Sequence, residues 1–153
     1  MNVSMQFLGT EQVQRKLTPD TYLPSVRDLL RDASIYATRE AQREAGRDLG
    51  AIAQSIGAVV TPMSVTVSSR HPGAVAAEFG RRAGTPPPPA SALRDWAARH
   101  GLSGLEFVLA RAIGQRGIKG RFFMRRARER LQQIEMPRLL SKAASEIERK
   151  WNS

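Results

Sequence analysis

The sequence predicts an α+β fold: a long amphipathic N-terminal helix packed on a small antiparallel β-sheet, with additional helices in the C-terminal half. Three observations carry this. From Pro24 to Ala45 the apolar residues Val26, Leu29, Leu30, Ala33, Tyr36 or Ala37, and Ala41 recur at three- and four-residue steps, one stripe along a single helix. Between Gly57 and Ser69 an apolar run and a strictly alternating run flank Pro62-Met63, the pattern of a hairpin with one buried face. Past Ser91, helical spacing returns in three separate stretches. The 153 residues are read as a single domain in three parts: a helix-plus-hairpin body over 1–80, an insert with a proline-rich linker and helices over 81–121, and a helical region over 122–153.

Taken in order, Val3 to Leu8 alternates as a short strand, and Thr10 can cap a short helix over Glu11 to Leu17. Thr18-Pro19-Asp20 breaks it, and the long helix starts at Leu23 or Pro24, where a first-turn proline is tolerated. Its opposite face carries Arg27, Asp28, Arg31, Asp32, Arg39, Glu40, Arg43 and Glu44, alternating signs that read as a solvated surface. Gly46 is placed to end it. Asp48 to Ile56 has helical spacing through Leu49, Ile52 and Ile56. The hairpin runs from Gly57 to Thr61 and from Ser64 to Ser69, with Val65 and Val67 turned to the long helix. Ala74 to Phe79 fits a strand or a short helix equally. Arg81 to Pro89 contains four consecutive prolines and reads as a stiff polyproline spacer. Ser91 is placed to cap a helix bearing Leu93, Trp96 and Ala97, and Glu106 to Ile113 is another. Gly114, Gly117 and Gly120 interrupt helical order before the last helical region, Phe122 to Trp151, which Pro137 should kink or split.

Composition narrows the function classes. Cysteine is absent, which excludes disulfides and thiolate metal sites. MNVSMQFLGT lacks a basic segment followed by an apolar one, so a signal peptide is not expected, and no stretch approaches the roughly 18 apolar residues of a spanning helix. A soluble chain without membrane association is expected. The formal charge is +10, all of it from the second half: residues 1–80 carry eight basic and eight acidic side chains, residues 81–153 sixteen and six. Twenty of the basic residues are arginine, whose planar head suits phosphate and carboxylate alike. The charge implies an acidic partner, nucleic acid or protein.

Catalytic patterns are weak. His71 and His100 both abut turns and lack partners at metal or triad spacing. The glycines at 114, 117 and 120 lack the setting of a phosphate-binding loop. No cofactor is expected, and an enzyme is the least favoured class. The proline run reads as a spacer rather than as a ligand for an aromatic groove. Glu78, among apolar residues, needs a partner if buried; a salt bridge to an arginine, within the chain or from another subunit, is favoured over acid–base chemistry. Between Arg111 and Arg130 there are eight basic residues and one acidic residue, Glu129. This stretch fits a solvated face, contact with an acidic neighbouring subunit, or sequence-independent contact with DNA phosphates.

The order of these pieces resembles one family, the neck or tail-completion proteins of tailed bacteriophages. The matching residues are Leu49 with Ser55-Ile56, then Ala76 with Glu78-Phe79-Gly80, then Gly120-Arg121-Phe122-Phe123-Met124-Arg125 with Ala127. The likeness covers most of residues 1–135. It departs at Phe122, where the family usually has proline, and in a longer tail beyond Pro137. The resemblance implies a structural protein of the virion, present in the host cytoplasm during assembly, that forms a ring of six or twelve copies around the DNA channel. Its partners would be further copies of itself and adjacent connector and tail proteins, with non-specific contact to channel DNA left open. Interface or phosphate-contact candidates are Glu78, Arg81, Arg82, Arg116, Lys119, Arg121, Arg125 and Arg126. The alternative is a sequence-independent nucleic-acid-binding module.

Overall fold

A computed structural model describes residues 19–46 and 49–152. The strand expected at Val3 to Leu8 and the helix expected at Glu11 to Leu17 lie outside the described residues. Helix α1 runs Pro19–Ala45. It begins earlier than expected: Pro19, read as a breaker, takes the first helical position, where its missing N–H is no loss, and Pro24 lies inside the helix. The stripe of α1 narrows to a ridge of one residue type: Ala33, Ala37, Ala41 and Ala45, four residues apart, are all buried. Methyl groups on an i, i+4 row let a second helix approach closely.

That second layer is a long helical path. Helix α6 spans Phe123–Arg130 and α7 spans Met136–Asn152, joined through a π-turn over Leu131–Glu135. In the π-turn the N–H of Met136 donates to the carbonyl of Leu131, five residues back. The wider turn takes up the defect that Pro137 introduces, so the proline neither splits nor ends the path. Phe123, 1% exposed, and Ala127 from α6 join Ala41, Ala45, Ile52 and Ile56 in the main core. Burying that phenylalanine contributes about 1.5–3 kcal/mol. Leu139 and Ala143 of α7 are also buried.

A row of ion pairs runs beside the alanine ridge. Lys142 meets Asp32 at 3.1 Å, and Arg130 meets Glu40 at 2.7 Å and Glu44 at 3.1 Å. Arg126 lies 3.5 Å from Glu44, and Arg43 also pairs with Glu40. The expectation of a solvated opposite face is therefore corrected at Glu40 and Glu44. They flank the buried row one position upstream of Ala41 and Ala45, and Glu40 is itself buried. A carboxylate that loses water needs such partners. Asp32 holds the Lys142 ammonium above its ordinary value, chiefly through their hydrogen bond. The contact is present below that ordinary value and is lost as pH rises through the raised one.

Helix α2, Gly50–Gln54, is shorter than expected, because Ile56 already begins strand β1, Ile56–Val60. Strand β2, Val65–Ser69, pairs antiparallel with β1, Ile56 opposite Ser69 and Val60 opposite Val65. The N–H of Thr61 donates to the carbonyl of Ser64 at 2.8 Å and closes the turn around Pro62-Met63. Val67 packs on the core as expected, and Gln42 of α1 donates to the carbonyl of Ile56 at 3.3 Å. Burial is uneven: on β1 only Ile56 is buried and Val59 and Val60 are exposed, whereas Val65 and Val67 of β2 are half-buried.

Ala74–Phe79 is helix α3. The proline run then crosses α5, Glu106–Arg116: the Gly84 N–H donates to the Gly114 carbonyl at 2.8 Å, and Gly114 is bare enough for Thr85 and Pro87 to lie against it. Ser91 does not cap. It sits within a 3₁₀ turn, Ala90–Leu93, and α4 follows at Arg94–Arg99 without a side-chain cap. Pro89, held extended, sets that entry instead. Among the described residues no helix is long and apolar enough to cross a membrane.

Candidate interaction site

The two motif-bearing stretches, Gly73–Gly80 and Gly117–Ala127, meet inside the chain. Two-residue strands β3, Gly80–Arg81, and β4, Ile118–Lys119, pair antiparallel. The N–H of Arg121 donates to the Ala77 carbonyl at 2.8 Å, and that of Phe122 to the Glu78 carbonyl at 3.0 Å. Three glycines make the crossing possible. A Cβ on Gly80 would lie 2.4 Å from the Ile118 oxygen, one on Gly117 2.4 Å from the Arg81 oxygen, and one on Gly120 2.6 Å from the Glu78 oxygen.

Glu78 is the keystone of this crossing. It is 7% exposed. One carboxylate oxygen accepts from the Met124 N–H at 2.9 Å and the other from the Arg125 N–H at 3.0 Å. These are free donors of the first turn of α6, at the positive end of its dipole. The salt bridge to an arginine expected for Glu78 is thus replaced by a cap on its own chain. Position 122 leads into that cap with φ +53°, the one left-handed non-glycine among the described residues. Proline's ring forbids that angle, so a proline could not stand here in this conformation. The Arg125 guanidinium lies over the Phe122 ring, 4.0 Å from its centre, and 3.9 Å from Glu129.

Helix α3 is inside out. Ala74 and Ala77 pack on the core and Glu78 is buried, while Val75 is 69% and Phe79 70% exposed. Ile118 on the adjoining ribbon is 39% exposed. Of the basic candidates, Arg82, Arg116, Lys119 and Arg121 are exposed around the same ribbon. Arg81 is turned inward: its guanidinium donates to the Pro86 carbonyl at 2.6 Å and ties down the proline run. Arg126 is held by Glu44. The crossing therefore gathers Arg82, Arg116, Lys119 and Arg121 into one district and draws Glu78 and Arg81 into the fold, while Arg126 stays exposed beside Glu44.

His71 accepts the Gly73 N–H through Nδ1 at 3.0 Å, and His100 stacks on Trp96 with ring centres 4.0 Å apart. Both serve local turns. Among the described residues no cluster of His, Cys, Asp or Glu could hold a metal. Sequence reasoning missed Val75 and Phe79, although their four-residue spacing opposite Ala74, Ala77 and Glu78 was a usable signal once the segment is read as a helix. Comparison with known proteins finds no matching family model, no matching curated protein and no matching solved structure.

Proposed function

We propose that this chain is a structural subunit of a tailed-phage head–tail junction, which assembles as a ring around the DNA passage and joins the head connector to the tail. The observation that carries the reading is the inverted helix α3, which turns Val75 and Phe79 to solvent and a carboxylate inward. An exposed apolar pair rimmed by arginines suits docking on a protein surface with acidic edges. The motif order is a second support: two of the three stretches that resemble neck proteins, Ala76 to Gly80 and Gly120 to Ala127, build this crossing. The partners in this reading are further copies of the chain and the adjacent connector and tail proteins, and its place is the virion.

Deleting the gene is expected to leave separate heads and tails, and wild-type protein supplied in trans to restore joined particles. Val75→Asp with Phe79→Asp should keep the melting temperature within about 2 °C, as exposed substitutions usually do, yet fail to restore them. Normal particles without the chain would defeat the proposal. A second reading, a nucleic-acid-binding module, draws on the exposed Arg82, Arg116 and Lys119. It would set a duplex against that ribbon.

A further inference from the structure

We propose that the β1–β2 hairpin is a self-pairing element, the β2 edge of one copy adding to the β1 edge of the next. This deepens the assembly reading and rests on it for the head-to-tail order of copies.

Among the described residues the hairpin is a sheet of two strands; Gln42 of α1 covers the β1 edge at Ile56, and beyond that point neither outer edge carries a further strand. A lone two-stranded hairpin is marginally stable in water, and an open edge is a template for another strand. Natural edges are blunted by lysine, by proline within the strand, or by a bulge. Here there is none of these. The five pairs run in continuous register without a bulge, and Pro62 sits in the turn. From Ile56 to Ser69 there is no charged residue, in a chain that is 25% charged. Val59 is 60%, Val60 45% and Met63 80% exposed.

Charge identifies the occupant as a second copy. The chain carries a formal +10, concentrated in residues 81–153, so two copies approaching through that half repel one another. The uncharged hairpin, within the neutral half of the chain, lets like copies meet without that repulsion. It also offers no side-chain charge by which an acidic or basic partner would be selected. Its backbone edges provide the pairing, and a head-to-tail contact of this kind closes into a ring when the rotation between copies permits.

Ladder alternation supplies the test. The Thr61–Ser64 pair is hydrogen-bonded, so three residues earlier the N–H of Ala58 points away from β2 toward the open edge. Ala58→Pro removes that outward donor and spares the bonds within the hairpin. Val59→Lys places a charge on the same exposed strand. Sedimentation velocity on the full chain should show concentration-dependent self-association in the wild type, weakened at least about tenfold in either variant. Circular dichroism should show unchanged helix content in both. A wild type that stays monomeric over the whole concentration range, or association untouched by both variants, would overturn the proposal. In either case the junction role stands or falls separately on deletion and rescue. If the hairpin variants dissociate the protein but joined particles form without the chain, the pairing stands and the junction role falls.

Discussion

Glu78→Ala is expected to lower the unfolding free energy by about 3 kcal/mol, since two charge-assisted hydrogen bonds are lost and two backbone donors are left without partners. That corresponds to a fall in melting temperature of roughly 6–12 °C for a chain of this size. Glu78→Gln keeps one acceptor oxygen and should cost about half as much. The measurement is thermal unfolding of the isolated chain at low concentration. The loss arises because the carboxylate accepts from Met124 and Arg125 of its own chain. If Glu78 instead served a neighbouring subunit, the isolated variant would melt like the wild type. Assembly should suffer as well, because the cap fixes α6 against α3 and so sets where Val75 and Phe79 stand.

The second large effect concerns the glycines of the crossing. Gly80 and Gly117 have φ +80° and +76°, with ψ near ±180°, a region that side chains essentially do not enter. Each alanine variant would also drive a Cβ to 2.4 Å from a carbonyl oxygen of the facing segment. Neither backbone can retreat without opening the β3–β4 pair. Gly80→Ala and Gly117→Ala are each expected to cost about 3 kcal/mol or more, and the double variant should not fold stably. Gly84 is the control. It too has positive φ, +79°, but nothing lies within 4 Å of an added Cβ, so Gly84→Ala should cost only about 1 kcal/mol. Chemical denaturation of the three variants checks the contrast. Equal losses at all three positions would mean that backbone angle alone matters and that the close approach does not.

What the sequence revealed follows from the range over which each signal acts. The long helix and the hairpin were legible because periodicity is local and spans many residues, as in the row Ala33, Ala37, Ala41. The start of α1 was misplaced because two prolines, Pro19 and Pro24, both satisfy first-turn rules. Ala74–Phe79 stayed ambiguous because six residues contain little more than one period. The decisive partner of Glu78 lies 46 residues away. Strands β3 and β4, two residues each, are too short to leave any pattern. Glu40 and Glu44 looked like part of an alternating surface, and only the approach of α6 and the π-turn shows them receiving Arg126 and Arg130. The candidate site was half legible. The two stretches were recognised as belonging together, but they were expected to face neighbours, and their first task is to hold each other.

The central claim is that this chain is a working part of an assembled particle. Protein mass spectrometry of purified tailed particles from cells that carry the gene tests it most directly. The account predicts the chain at a fixed multiple of copies per particle, matching a ring, and lost together with joined particles when Phe79→Asp and Val75→Asp are introduced. Its absence from particles that are complete and infectious would contradict the account.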